Sequence, residues 1–390
     1  MIYVNVSLKV CTFKAPLDLL KESPGQQETE FNVSPQLAVP HSVLWENGQT
    51  IRVRFLEGSS FLRSKVKQVA LEWEQYVNLK LEFTEDPEAE IRIAFVQGNG
   101  SWSALGTTCL DERFFPKNEP TMNYGWLNDR SKEDEIRRVV LHEFGHALGF
   151  LHEHMSPEAD IPWDKPKVYE YFMGPPNNWT KEEVDFNVFN KYNIADTHFS
   201  DFDTKSIMMY SIENELTVGD YEVPLSNTLS EMDKMHAAIF YPRATSLITL
   251  KTHKEQYVSV DNSGGQALVA HSQEPGNDGI FECIDLGLSR IALRAHNGQL
   301  IGINRQGLLI VNRKQITPAE IFEFVRLDQD KAALQAANKQ FVGAVEGGGR
   351  ELMADREQVG DEETFLVTFH TVEETPGTPA SSIDTGAIEE

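Results

Sequence analysis

The period of the hydrophobic positions changes several times in the first part of the chain. Apolar and polar residues alternate from Ile51 to Phe55, and apolar residues then recur at helical spacing between Phe61 and Tyr76. Alternation returns from Leu79 to Phe83 and from Ile91 to Phe95. A strand, a helix and two further strands in this order predict a mixed sheet with a helix packed on it.

A second helical pattern begins after residue 130. Its apolar positions at helical spacing are Ile136, Val139, Val140, Ala147 and Leu148. Ser131 and Asp134 resemble a helix-capping arrangement, so we expect the helix to begin near Ser131. The helix leads into residues 142–152, HEFGHALGFLH, which carry the candidate chemistry.

Two histidines of this segment lie one helical turn apart. With about 3.6 residues per turn, His142 and His146 share one face of the helix and can both bind a single ion at roughly 2.0 to 2.1 Å. Glu143 stands beside the first ligand, where a carboxylate can hold the attacking water and take its proton. The spacing predicts a metal site with a general base next to it.

A glycine and a third histidine complete the candidate site. Gly149 ends the helix in a conformation that suits a residue without Cβ, and the chain then turns so that His152 approaches from another direction. Three protein ligands leave one position of a tetrahedral zinc open, which is typical of catalytic sites. A short HExxH pattern also occurs by chance on exposed helices, whereas this extended form is far more specific. We therefore predict one catalytic Zn²⁺.

The composition changes after Pro242. The six tryptophans all lie upstream: Trp45, Trp73, Trp102, Trp126, Trp163 and Trp179. Downstream, pairs of large apolar residues recur with one seven-residue spacing: Leu250 with Tyr257, Leu293 with Leu300, and Leu334 with Phe341. Three repeats of about 42 residues, with short alternating segments between Gly and Asn turns, predict a closed threefold β architecture.

The chain from about residue 41 to residue 242 resembles the astacin-type metzincin peptidases. The resemblance rests on the long zinc motif followed by Glu153 and His154, and on residues 206–210, SIMMY, which resemble the family's Met-turn S-x-M-H-Y. It implies that Met208 is the methionine beneath the metal, and that Tyr210 approaches the zinc and hydrogen-bonds the developing oxyanion. The fold it implies is an α+β catalytic domain with a mixed sheet, a zinc helix and a Met-turn.

The chain departs from that family's pattern at several positions. Ser101 stands where one of the usual disulfides would begin, and Met209 replaces the histidine before the tyrosine. No F-x-G-D segment precedes the catalytic domain, so the family's aspartate-based latency is not carried over. Glu153, which in the family contacts the N-terminus of the mature enzyme, is left without an assigned role. Three further histidines, His154, His198 and His236, are expected to be packed or surface residues outside the site.

Four segments are expected along the chain. Residues 1–40 lack strong periodicity and are expected to form an irregular arm, and residues 41–243 form the peptidase domain. Residues 246–370 resemble a fascin-like β-trefoil, which implies a protein partner, although a purely structural role fits equally well. Residues 371–390 are rich in Pro, Ser, Thr, Gly and Glu, which predicts a disordered acidic tail.

The composition of the chain bears on its binding partners and its cellular location. A formal net charge of -25 argues against nucleic acids and anionic membranes as partners, because both require a basic surface on the protein. No membrane span is visible in the sequence. Three scattered cysteines, Cys11, Cys109 and Cys283, form no metal-ligand cluster and suit a reducing compartment. The first residues do not have the pattern of a secretion signal, so we expect synthesis in the cytoplasm, which leaves open a later export through a specialised route.

These observations predict a zinc-dependent endopeptidase that hydrolyses peptide bonds of protein substrates. A metal-activated water attacks, with Glu143 as general base and Tyr210 as oxyanion donor. One alternative is a protein-binding adaptor that acts through the trefoil and carries a vestigial peptidase domain. A structural zinc module is the second alternative, and it lacks an evident fourth protein ligand.

Overall fold

The computed structural model describes residues 11–14, 36–40, 43–175, 177–191, 197–200, 202–243, 246–261, 266–313 and 316–370. The chain divides into two compact units, and the main boundary along the chain falls after residue 244. Within the ranges just given, no helix has the length and apolar character needed to cross a bilayer.

The first unit is built around a mixed sheet. Its strands, in chain order, are β1 Cys11–Lys14, β2 Gln36–Pro40, β3 Thr50–Phe55, β4 Lys80–Phe83, β5 Ile91–Ala94, β6 Ser101–Ala104, β7 Met122–Tyr124 and β8 Thr197–Ser200. Six of them form one sheet in the order β1-β6-β7-β5-β3-β4, while β2 pairs with β8. All neighbours in the larger sheet are parallel except β6 and β7. Without β1, β6 would be an edge strand.

Helices of the first unit present apolar faces to the core. They are α1 Ser60–Ala70, α2 Glu133–Ala147, α3 Lys165–Met173, α4 Lys181–Val184 and α5 Glu231–Phe240. The buried positions of α1 match the predicted stripe: Leu62, Val66, Val69 and Ala70. The Ser59 side chain accepts a hydrogen bond from the Leu62 N–H, which satisfies one backbone donor of the first turn. The amphipathic helix therefore forms over the first part of the predicted stretch, and it ends at Ala70, because the chain continues into the separate 3-10 turn Trp73–Gln75.

The start of α2 differs from the prediction. Lys132 is the N-cap residue and provides no capping hydrogen bond from its side chain. The predicted cap at Ser131 is wrong, because the Ser131 hydroxyl accepts from the Asn128 N–H in the preceding turn. The first turn of α2 instead holds three acidic residues: Glu133, Asp134 and Glu135. Their charges interact favourably with the positive end of the helix dipole.

Two buried ring groups hold the C-terminal end of α2. The Trp45 indole Nε1 donates to Ala147 O at 2.8 Å, and the Tyr241 hydroxyl donates to Leu148 O at 2.7 Å. Carbonyls at a helix C-terminus lack partners within the helix, so these donors satisfy two groups that would otherwise be buried without a hydrogen bond. The turn that follows residue 148 therefore starts from a fixed position.

The predicted α+β class with a mixed sheet is confirmed, and the alternation from Ile51 and from Ile91 falls in β3 and β5. The prediction of an irregular arm over residues 1–40 is wrong for β1 and β2, which are strands. Strands of four or five residues are too short to show a clear hydrophobic periodicity. Both β1 and β2 also pair with strands that lie far away in the chain. Most of the arm lies outside the described residues.

The second unit is an all-β barrel with three hairpins. Its strands are β9 Ser246–Lys251, β10 Tyr257–Val260, β11 Leu268–Ser272, β12 Phe281–Gly287, β13 Arg290–Arg294, β14 Leu300–Ile303, β15 Leu309–Arg313, β16 Phe322–Arg326, β17 Lys331–Gln335, β18 Phe341–Gly343, β19 Met353–Arg356 and β20 Phe365–His370. A ring of six strands, β9, β12, β13, β16, β17 and β20, is closed because β20 pairs with both β17 and β9. The other strands form the hairpins β10–β11, β14–β15 and β18–β19.

The threefold repeat of this unit is confirmed. Each repeat contributes two strands to the ring and one hairpin, which is the arrangement of a β-trefoil. Three phenylalanines at equivalent positions are buried in its core: Phe281, Phe322 and Phe365. The predicted disordered tail, residues 371–390, lies outside the described part of the chain.

Candidate metal centre

Helix α2 and the turn after it bring three histidines together. His142 and His146 lie one turn apart on α2, and both are buried, as is Glu143 between them. The chain reverses at Gly149, whose φ of +100° favours glycine, and the Gly149 N–H donates to His146 O at 2.8 Å. His152 then returns to α2. One ligand nitrogen from each imidazole lies within 4.8 Å of the other two.

Backbone carbonyls orient two of these imidazoles. His142 Nδ1 lies 2.7 Å from Ile207 O, and His146 Nδ1 lies 2.7 Å from Phe150 O. Because a carbonyl oxygen only accepts, each Nδ1 must carry the proton, and each Nε2 keeps a free lone pair. This is the tautomer in which Nε2 serves as a metal ligand.

The facing nitrogens fit a metal ion. The Nε2 atoms of His146 and His152 lie 3.0 Å apart, close to the roughly 3.3 Å that two nitrogens would have on a tetrahedral zinc with bonds of about 2.0 to 2.1 Å. His142 Nε2 is buried and has no hydrogen-bond partner among the described residues. Burial lowers the pKa of all three imidazoles, to about 4 for His142, so they are neutral as metal binding requires.

Glu143 is buried beside the histidines. Within the described part of the chain, neither of its carboxylate oxygens has a partner with hydrogen-bonding geometry. Burial raises the pKa of Glu143 well above the usual range, and the Cys11 thiol and the Arg138 guanidinium oppose that rise. A buried carboxylate without well-formed hydrogen bonds is costly in free energy. It also keeps its lone pairs available to accept a proton.

Asp233 of α5 anchors the turn that follows Ser206. Its Oδ1 accepts from the Ser206 hydroxyl at 2.7 Å, and its Oδ2 accepts from the Ile207 N–H at 2.8 Å. The carbonyl of the same Ile207 accepts the proton of His142 Nδ1. Burial raises the pKa of Asp233 to about 6. Asp233 therefore fixes the orientation of His142 through one intervening residue, a role that no motif in the sequence indicates.

Met208 packs directly against α2. Its side chain is fully buried, and its carbonyl accepts from the Glu153 N–H at 3.1 Å. A Cβ atom at Gly145 would come within 2.3 Å of Met208 Sδ and 3.2 Å of Met208 Cε. The thioether thus occupies the space that any side chain at position 145, directly before His146, would need.

Replacing Gly145 with alanine is expected to lower the thermal unfolding midpoint. Overpacking costs about 1–3 kcal/mol, which exceeds the roughly 1 kcal/mol that alanine gains over glycine in a helix. Circular dichroism during heating measures the midpoint. In a Met208→Ala background the clash is absent, so the same substitution should stabilise the protein. A loss of equal size in both backgrounds would contradict this packing.

Tyr210 contacts both the histidines and strand β1. Its ring centroid lies 4.5 Å from that of His152 and 4.2 Å from that of His154. Its hydroxyl donates to Cys11 O at 2.5 Å. The prediction that His154 lies outside the site is wrong, because its ring stacks on Tyr210. A lone histidine two residues after a predicted ligand gave no signal of this contact.

Strand β1 lies over the histidine cluster. It pairs in parallel with β6, with Cys11 opposite Ser101. The Phe13 ring centroid lies 5.3 Å from the centroids of both His146 and His152. Strand β1 therefore occupies the edge of β6 beside the candidate site. No sequence pattern indicates this role of Cys11 and Phe13, because their contacts lie far away in the chain.

The remaining residues singled out in the sequence lie elsewhere. Glu153 is buried and accepts from the Asp203 N–H at 2.9 Å, and burial raises its pKa to about 8. His236 is buried in α5. His198 belongs to β8, whose side chains are outside the described part of the chain. Over the described ranges, the three motif histidines are the one group of His, Cys, Asp or Glu side chains positioned to hold a metal ion.

Comparisons with known proteins match both units. The model of the Astacin peptidase family matches residues 40–220, and that of the FRG1-like domain matches residues 265–385. A solved structure of myroilysin is 47% identical, covers 53% of this chain and 99% of that chain, and has a TM-score of 0.51. A crystal structure of myroilysin is 41% identical, covers 61% of this chain and 93% of that chain, and has a TM-score of 0.45.

A curated relative is similar over the first unit. The zinc metalloproteinase dpy-31 of Caenorhabditis elegans is 23% identical over 207 residues, which are 51% of this chain and 33% of that protein. This chain thus matches about a third of that relative's length. The astacin family model includes the histidine cluster, and a solved relative at 47% identity is matched over 99% of its length. The chain therefore belongs to the astacin family of metallopeptidases.

Proposed function

We propose that this chain is a zinc-dependent endopeptidase that hydrolyses peptide bonds of protein substrates. The observation that carries the proposal is the convergence of three neutral imidazoles within 4.8 Å, with the buried carboxylate of Glu143 beside them. His142, His146 and His152 would hold one zinc ion and leave a tetrahedral position open. When bound, zinc supplies Lewis acidity that makes water a nucleophile near neutral pH and polarises the scissile carbonyl.

Glu143 serves as the general base. Because burial raises its pKa, Glu143 is a stronger base than an exposed glutamate, and the positive charges of the Arg138 guanidinium and of a bound zinc ion would favour its ionised form. It takes a proton from the attacking water and delivers a proton to the leaving amine. Gly149 and Met208 are structural in this scheme, since they set the turn toward His152 and the packing beneath α2.

Tyr210 serves as a donor to the oxyanion. Its hydroxyl donates to a peptide carbonyl, Cys11 O, so a substrate carbonyl at the same place can accept the same hydrogen bond. Such a donor contributes most when negative charge develops on that oxygen in the transition state. The contact with β1 is therefore a model for how Tyr210 meets a substrate.

Strand β1 must leave before a substrate can bind. An extended peptide binds readily at the edge of a sheet, and β6 provides that edge next to the histidines. Because β1 already pairs with β6, and Phe13 packs on His146 and His152, β1 and a substrate would compete for one place.

We assign the peptidase activity to residues 41–243 and propose a protein partner for the trefoil, residues 246–370.

Casein cleavage with and without a zinc chelator tests the proposal. Depletion of metal is expected to stop the release of new peptide ends, and added zinc should restore it. Mass spectrometry of the products should show cuts inside the casein chain, as an endopeptidase requires. Undiminished cleavage by zinc-free protein would refute the proposal, and no cleavage by zinc-loaded protein would favour the vestigial alternative.

A further inference from the structure

Tyr210 and His154 form a stacked pair beside the candidate metal centre. Their ring centroids lie 4.2 Å apart with an interplanar angle of 25°. Both side chains are buried. The rings of His152 and His142 lie farther from Tyr210, at 4.5 Å and 6.5 Å, and the His152 ring is tilted by 57°. His154 therefore provides the closest stacked surface for the phenol.

His154 is itself held at its ring and at its backbone. Its Nε2 donates to Asn187 O at 2.8 Å, since a carbonyl can only accept. Asn187 belongs to the π-helical segment Asp185–Phe189, which follows α4. The His154 carbonyl accepts from Lys191 Nζ at 2.9 Å, and the same ammonium donates to two further carbonyls of this loop. Because the His154 ring is held in this way, it can restrict the orientation of the Tyr210 ring stacked on it.

The position of the phenol matters for catalysis. A donor to an oxyanion works at about 2.7–3.1 Å from that oxygen, and a displacement of about 1 Å can lower a rate by about 10²-fold. Tyr210 also belongs to a buried apolar cluster, and His154 adds a stacked ring beside it. Stacked rings attract each other by about 0.5–1.5 kcal/mol beyond the area they bury, which favours one orientation of the ring.

We propose that His154 is a positioning residue that holds Tyr210 in the orientation from which its hydroxyl reaches the oxyanion. The proposal rests on the peptidase function proposed above. His154 acts through Tyr210 and not through the metal, because the histidine cluster is formed by His142, His146 and His152. Its replacement therefore affects the chemical step and leaves zinc binding intact.

A double-mutant cycle in the full chain tests this role. Tyr210→Phe is expected to lower kcat for peptide hydrolysis by about 10²-fold, and His154→Ala by about 10- to 50-fold. The Michaelis constant should change by less than about threefold in both, because the donor acts mainly in the transition state. The double variant should be no more than about threefold slower than Tyr210→Phe alone.

Conservative variants separate the ring from its hydrogen bond. His154→Phe keeps a ring against Tyr210, whereas His154→Gln keeps a donor for Asn187 O without a ring. We expect His154→Phe to recover most of kcat and His154→Gln to recover little. His236→Ala is the matched control, because His236 is another buried histidine of the first unit. It should lower the unfolding midpoint and leave kcat close to that of the parent.

Two results would overturn the proposal: multiplicative losses of kcat in the double variant, or loss of bound zinc in His154→Ala. Glu143→Gln, assayed in the same series, separates this inference from the proposed function. If Glu143→Gln is as active as the parent, the peptidase mechanism itself fails. If Glu143→Gln is inactive and the losses at His154 and Tyr210 multiply, only the role of His154 fails.

Discussion

Replacing Glu143 with glutamine is expected to lower kcat for peptide hydrolysis by about 10²- to 10⁴-fold while bound zinc stays unchanged. Glutamine keeps the shape of the side chain but does not accept a proton at neutral pH. Glu143 is fully buried, and in the described part of the chain its oxygens have no partner with hydrogen-bonding geometry, so the substitution alters only the contact with the Cys11 thiol. Steady-state kinetics and atomic absorption of the purified protein provide the two measurements.

Glu133→Gln is the matched control for this experiment. Glu133 lies on the same helix, is exposed and pairs with Lys65 at 2.8 Å. An exposed ion pair contributes at most about 1 kcal/mol to stability, so the control should cleave peptides at the parental rate. Casein cleavage by zinc-loaded Glu143→Gln at the parental rate would rule out the general-base role.

Much of the candidate site could be predicted because it is local in the chain. Helix geometry alone places His142 and His146 on one face, and the glycine at 149 permits the turn that returns His152. Eleven consecutive residues, 142–152, therefore contain the information that brings the three imidazoles together. The trefoil could be predicted for a related reason, since three copies of one pattern imply three equivalent units.

The parts that could not be predicted depend on contacts between distant segments. Periodicity shows that a face is buried but not what covers it, so nothing in α5 indicated that Asp233 would hold Ile207. The same limit hid the contact of His154 with Tyr210 and the position of Phe13. Local reasoning failed at Ser131 for another reason, because a serine hydroxyl can serve either the preceding turn or the helix.

One substitution in strand β1 is expected to increase the peptidase activity strongly. Phe13 is buried in an apolar cluster with Val43, Leu105, Leu151 and Met155. Removing a buried phenylalanine ring costs about 3–5 kcal/mol, and burying a carboxylate in its place adds to that cost. The cost falls on the state in which β1 covers the site, because in the released state the new side chain is solvated.

Phe13→Asp in the full chain is therefore expected to shift the balance toward the open site by about 10²-fold or more and to raise the initial rate of peptide hydrolysis accordingly. Lys14→Asp is the matched control: Lys14 is exposed, and losing its contact with the Trp102 ring should change the rate by less than about fivefold. Far-UV circular dichroism and zinc content verify that both proteins remain folded. An unchanged rate in folded, zinc-loaded Phe13→Asp would mean that β1 does not compete with substrate, and an equal increase in Lys14→Asp would assign the effect to charge instead of packing.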